Sequence, residues 1–356
     1  MISFPKTIVN LLLLCSLLLV PGAMTGQCFL WGVGFGTIFD NREGNTPFAT
    51  SKTFFLTQLS PEIGVSTDNG EHSVLGGVVW TQPIGCEWEG HRISPTLYYM
   101  YTGNSLKGFL GMFPRERLFR KVPDYIWNDS SYYVQKNIRG AGIEYINEKG
   151  FFQAILDWRG MQTENQREAF NIIAMGEWWS ERHVPLIAGA TAMMNHLACR
   201  KEPHDDEGVV DNFLFNPYVG LNIKKWASTI DSLEIRAGVL GSMTRDRILE
   251  SRWKIPVGFW FLTDFRWKWL GIKEELYVGG KFFPYYSVYG SLLDQGEPYY
   301  ASSFYSRTEL QWHIMNKSFI KLTASLDFNF AGSDLLFYQR LILNINFDGS
   351  FQKKKS

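Results

Sequence analysis

Apolar and polar positions alternate along most of the chain. Between 319 and 330 the even positions carry Ile320, Leu322, Ala324, Leu326, Phe328 and Phe330. The odd positions between them carry Lys321, Thr323, Ser325, Asp327 and Asn329. A period of two marks a strand whose side chains leave opposite faces. From 253 to 269 every odd position but Thr263 is apolar, which predicts one strand of 17 residues. Strands of soluble folds average about five or six residues; one this long fits a tilted crossing of a bilayer. The pattern recurs at 151–159, 212–224, 232–244, 307–313 and 335–347.

Counted through the chain, the pattern predicts about sixteen strands (range 14–16). They lie near 29–39, 52–67, 72–82, 91–102, 107–114, 134–146, 150–160, 167–179, 184–197, 210–224, 229–244, 252–268, 271–283, 300–314, 318–330 and 335–347. The connections alternate in length. Asp68-Asn69-Gly70, Gly103-Asn104-Ser105, Asn147-Glu148-Lys149 and Asn316-Lys317 read as tight hairpin turns, whereas 40–51, 83–90, 115–133, 198–209 and 284–299 are long. Short turns on one rim and long loops on the other describe an all-β, antiparallel, up-and-down transmembrane barrel with its short rim in the periplasm. Aromatics fall at both rims on outward parity: Tyr99, Tyr101, Tyr145, Trp178, Trp267, Trp269 and Phe347 at the short-turn rim, and Trp80, Trp158 and Trp253 at the long-loop rim. Parity also implies that Arg at outward Val257 or Leu322 harms insertion, whereas Arg at inward Gly258 or Thr323 is tolerated.

No segment after the first 20 residues is apolar enough for a membrane helix. The N-terminal run 7–20 follows Lys6 and precedes Pro21, Gly22, Ala23, Thr25 and Gly26, which reads as a cleaved export signal over 1–26. The expected domains are then that signal, a barrel over 27–347 and a basic tail over 348–356. Composition agrees with a folded, non-basic chain: 45% of residues are hydrophobic, 16% aromatic, and 35 basic residues balance 35 acidic ones. Nucleic acid is excluded as a partner, because its binders need a basic face. Cys28, Cys86 and Cys199 suit neither a zinc site nor a disulfide framework; a Cys86–Cys199 bridge is conceivable, with free thiols the better expectation.

The wall's inner face carries both signs of charge. Pore-lining positions are Glu62, Arg92, Asp157, Arg159, Glu234, Arg236, Lys254, Arg307, Glu309, Lys321, Asp327 and Arg340, joined by Glu275 and Lys281. About sixteen strands leave an aqueous channel that can hydrate such groups, against the alternative of a plugged or salt-bridged interior. The longest loop, 115–133, places Arg115, Arg117, Arg120 and Lys121 ahead of Asp124, Tyr125, Trp127, Asp129, Tyr132 and Tyr133.

Catalytic motifs are missing: no G-x-S-x-G, H-E-x-x-H or phosphate loop occurs. His91 and Ser94 lie on opposite parity, and His204-Asp205-Asp206-Glu207 reads as a solvated loop rather than a calcium site. No catalytic residue, metal or cofactor is therefore expected, and the chain is read as not an enzyme.

The end of the first strand, Phe39-Asp40-Asn41-Arg42-Glu43, together with Gln58–Gly64 and Tyr300–Leu310, resembles uncharacterised outer-membrane barrel proteins of Bacteroidetes-type bacteria. The likeness covers the whole mature chain and implies fold and location in the outer membrane of a Gram-negative cell, without an activity. By resemblance to general porins, the 115–133 loop folds inward as a constriction. The function expected is passive diffusion of small hydrophilic solutes, with outer-membrane lipids, those solutes and further copies of the chain as partners. The alternatives are an outer-membrane enzyme acting on lipid or glycan, and a non-conducting surface or assembly barrel.

Overall fold

The computed structural model describes residues 27–180, 185–204, 207–224 and 230–352. The expected signal (1–26), His183, Asp205, Asp206 and the last four residues lie outside them. The strands are β1 (Gln27–Glu43), β2 (Lys52–Thr67), β3 (His72–Pro83), β4 (Arg92–Thr102), β5 (Leu106–Pro114), β6 (Asn137–Asn147), β7 (Gly150–Gly160), β8 (Ala169–Trp179) and β9 (Leu186–Leu197). They continue as β10 (Val210–Lys224), β11 (Ser232–Asp246), β12 (Glu250–Lys254), β13 (Val257–Trp267), β14 (Leu270–Gly279), β15 (Phe304–Asn316), β16 (Ile320–Ala331) and β17 (Asp334–Gln352).

Successive strands pair antiparallel and β17 pairs back onto β1, so the sheet closes. β12 and β13 both pair with β11 and are two parts of one stave, broken at Ile255-Pro256. Proline cannot donate to a ladder, which is why the expected continuous strand divides there. The barrel therefore has sixteen staves. Closure satisfies every edge, a condition hydrocarbon imposes because it offers backbone groups no partner.

Burial runs opposite to that of a soluble protein. Outward Ile63, Val219 and Leu110 are 61–64% exposed, while inward Asp327, Asn216 and Gln58 are at most 1% exposed. An apolar outside and a polar, buried inside are what a bilayer selects. The expected rim aromatics Tyr99, Tyr145, Trp178, Trp267, Trp269 and Phe347 are exposed on the outside.

Three boundaries differ from the pattern. β6 begins at Asn137 because 129–134 forms a short helix, α1 (Asp129–Val134), whose first turn is capped by Asn128 accepting from the Ser131 N–H at 2.9 Å. β14 ends at Gly279 and β15 starts at Phe304, so 280–303 is the longest connection. β17 runs on to Gln352 in register with Cys28. The three described cysteines are free thiols.

Candidate functional site

Inside the barrel the chain supplies its own filling. The 115–136 loop leaves the rim after β5 and packs across the lumen. Arg115, 3% exposed, donates to Asp157 on β7 at 2.9 Å and lies over the Trp127 ring at 3.8 Å. Arg117 pairs with Glu62 on β2 at 2.8 Å. Arg120 pairs with Glu177 on β8 and Glu234 on β11 at 3.3 and 3.8 Å. Lys121 binds Asp124 and Asp129 at 3.0 and 2.9 Å.

Asp124 and Asp129 meet the far wall. Asp124 accepts from Lys273 on β14 at 2.7 Å and Arg307 on β15 at 3.1 Å. Asp129 accepts from Arg307 at 2.8 Å and Arg340 on β17 at 2.5 Å. The same two arginines bind Asp327 and Glu309. Burial by itself would raise Asp124 and Asp129, but Lys121, Lys273 and Arg307, joined at Asp129 by Arg340, hold both well below the usual carboxylate range.

A second loop, 280–303, enters beside the first. Phe282, Phe283, Tyr285, Leu293, Tyr299 and Tyr300 are all buried. The loops join through backbone bonds: Asn128 donates to Gln295 at 2.9 Å and Glu297 donates to Asp124 at 2.8 Å. Asp294 accepts from Asn212 on β10 at 3.0 Å, and Gln295 from Asn171 on β8 at 3.2 Å. Burial pushes the Asp294 carboxyl up to about 7, against the opposing Asn212 bond. Burial also pushes Glu297 up to about 7, opposed by Arg307 and Arg42.

The inward fold of the first loop agrees with the sequence reading, but its chemistry differs. Three of its cations, Arg115, Arg117 and Arg120, are taken up by wall carboxylates, and Lys121 by the loop's own Asp124 and Asp129. Of the expected pore-lining residues, Glu62, Asp157, Glu234, Arg236, Arg307, Glu309, Asp327 and Arg340 are engaged in ion pairs. Arg159 donates to Asn195 at 3.0 Å, and Lys254 pairs with Glu250 at 2.8 Å. Arg92 is exposed at the long-loop end of β4. Lys321 lines a polar cavity of about 600 Å³ on the short-turn side, with Ser60, Glu62, Glu116, Arg117 and Lys136. Glu207 turns to Arg167 and Arg200, at 3.7 and 3.2 Å, rather than into solvent.

The histidines separate by face. His313 is inside, 3.4 Å from Thr323. His72 is at the short-turn rim, 2.7 Å from the Tyr99 hydroxyl. His91 and His196 reach the long-loop rim on outward parity. A ring nitrogen of His91 is engaged by the Trp88 carbonyl. The His196 ring packs at a tilt against Phe170, centroids 4.9 Å apart, and has Asp211 of β10 as its register partner. The sequence pattern marked 284–299 as a long connection but showed neither this pair nor the inward packing of the 280–303 loop. The loop's signal was there in its aromatic density, since Phe282, Phe283, Tyr285, Tyr286 and Tyr289 would not stand in water unaided. The His–Asp pair joins residues 15 apart on neighbouring strands and becomes visible only with register.

Comparison with solved structures returns outer-membrane barrels. OprB of Pseudomonas putida superposes with a TM-score of 0.51 at 8% identity, covering 90% of this chain and 94% of that one. OpdK and OpdO of Pseudomonas aeruginosa superpose with 0.50 and 0.52, at 8% and 10% identity, over 90% of this chain and 99% and 97% of theirs. At such identities the likeness shows the fold, that of an outer-membrane porin. No curated protein matches the chain. A family model described as lipid A 3'-O-deacylase-type matches residues 33–354. That match overturns the expectation of a non-enzyme, because the family is one of enzymes. No short catalytic signature marks the chain, and barrel residues meet through register rather than spacing.

Proposed function

Because the chain belongs to the lipid A 3'-O-deacylase-type family, we propose that it is an outer-membrane hydrolase that removes an ester-linked acyl chain from the lipid A around it. The observation that carries this reading is the family match along the barrel, 33–354. The filled lumen is compatible with it, since a membrane-resident substrate approaches the wall from outside.

The chemistry sets the height of the site. A scissile ester joins hydrocarbon to sugar, so the group activating water has to face outward at the long-loop rim. His196 meets both conditions and is the general base of this reading: its imidazole takes a proton from water, which attacks the ester carbonyl. The same imidazolium then protonates the departing alkoxide, giving free fatty acid and a sugar hydroxyl.

The test is mass spectrometry of lipid A incubated with the folded protein in mixed micelles. Wild type should release one acyl chain. His196→Gln should slow release by roughly 10²–10⁴-fold, the usual worth of a positioned base, with His91→Gln close to wild type. Wild type that releases nothing removes the hydrolase reading; an active His196→Gln moves the base elsewhere.

A second reading, passive passage of small hydrophilic solutes, is favoured by the polar cavity of about 600 Å³. Planar-bilayer recording tests it: open steps in the unmodified protein support passage, and silence speaks against it.

A further inference from the structure

A single row of side chains crosses the outer face of five staves at the long-loop rim. Register places Trp158 opposite Phe170, Phe170 opposite His196, His196 opposite Asp211, and Asp211 opposite Arg245. One step toward the bilayer the next outward row reads Leu156, Ile172, Met194, Phe213 and Met243. That row is wholly apolar. The change from hydrocarbon-compatible to charged thus occurs within two residues, about 7 Å of strand.

At the charged end Asp211 gathers two guanidinium groups. Arg245 donates to it through Nε and Nη2 at 3.3 and 2.8 Å, and Arg247, in the β11–β12 turn, through Nε and Nη2 at 3.0 and 2.8 Å. Arg245 also lies over the Trp253 ring at 4.6 Å. Two cations around one carboxylate leave the group net positive. The Nη1 of each arginine has no partner among the described residues, and Arg247 is 53% exposed. A fixed, outward-facing pair of guanidinium groups is suited to bidentate phosphate. Aromatic rings on both sides, Trp158 and Phe170 to one and Trp253 to the other, suit the faces of a sugar.

We propose that Arg245 and Arg247, held by Asp211, form a seat for the phosphate of an outer-leaflet glycolipid, placing its sugar against the wall beside His196. This rests on the hydrolase reading for the identity of the lipid, but binding is measured without turnover.

The experiment is native mass spectrometry of the full chain with two synthetic diglucosamine glycolipids of equal acylation, one phosphorylated and one not. Wild type should retain the phosphorylated lipid about tenfold better. Arg245→Gln/Arg247→Gln should lose that preference, while Lys52→Gln/Arg92→Gln, which removes two cations elsewhere on the rim, should keep it. Should the double variant fail to fold, Arg247→Gln alone, in an exposed turn, should still lose most of it. Equal retention of the two lipids by wild type overturns the seat. So does a preference surviving both arginine variants, or one lost equally in the Lys52/Arg92 control. Wild type that retains the phosphorylated lipid yet releases no fatty acid leaves the seat standing and removes the hydrolase.

Discussion

Individual side chains show how unlike the two faces of the wall are. Outward Val257 is 45% exposed and well inside its stave, whereas Leu322 is two residues from the start of β16 at the short-turn rim. A cation costs roughly 2–4 kcal/mol at the midplane and about 0–1 near an interface. Val257→Arg should therefore impair heat-stable folding more than Leu322→Arg, as read from gel mobility before and after boiling. A Cβ added at Gly258 would meet Tyr277 Cε2 at 2.5 Å, so Arg is not tolerated there despite its inward parity. At Asp129 the expectation is also sharp, because Lys121, Arg307 and Arg340 converge on it. Breaking a buried pair costs about 3–5 kcal/mol. Asp129→Ala should unseat α1, seen as new proteolytic cleavage within 115–136; an uncut loop would show that Glu309 and Asp327 suffice for the arginines.

At the level of elements, the two inward loops respond to pH in different ways. Asp124 and Asp129 stay ionised at all working pH values, so the first loop is insensitive. Asp294 and Glu297 in the second loop titrate at about 7 when docked. The docked loop thus holds protons that a released loop gives up at ordinary carboxylate pH. Docking is strongest below about pH 4 and is lost progressively up to about 7, where both groups ionise in a buried setting. Hydrogen exchange over 288–299, corrected for its intrinsic pH dependence, should quicken between about pH 4 and 7 and level off above that. Asp294→Asn with Glu297→Gln should flatten that change; a slope kept in the variant would assign it to other groups.

For the whole molecule the loops decide whether the barrel is a conduit. Neutralising Arg115, Arg117, Arg120 and Lys121 together would leave Asp157, Glu62, Glu177, Glu234, Asp124 and Asp129 short of partners. The loop should then detach, and conductance should appear or rise with a cation preference set by the exposed carboxylates. Deleting 116–129 should raise conductance further. Unchanged current after both alterations would show that the second loop closes the lumen alone.

The sixteen staves, their parity and the long and short rims were legible in the sequence, because period-two alternation depends only on each residue's own face. So was the inward 115–133 loop, through its resemblance to porins and its split of basic from acidic residues. Pairing across the barrel was not legible. Arg340 reaches Asp129 over 211 positions, and no local pattern encodes that distance. The break at Ile255-Pro256 left the alternation intact and so hid from it. The His196–Asp211–Arg245 row likewise arises only when closure sets every register at once. A closed sheet has no free edge along which one strand can slide, so each stave's position fixes its neighbour's. Local alternation could say which side chains face lipid, and tertiary closure alone decided which of them stand together.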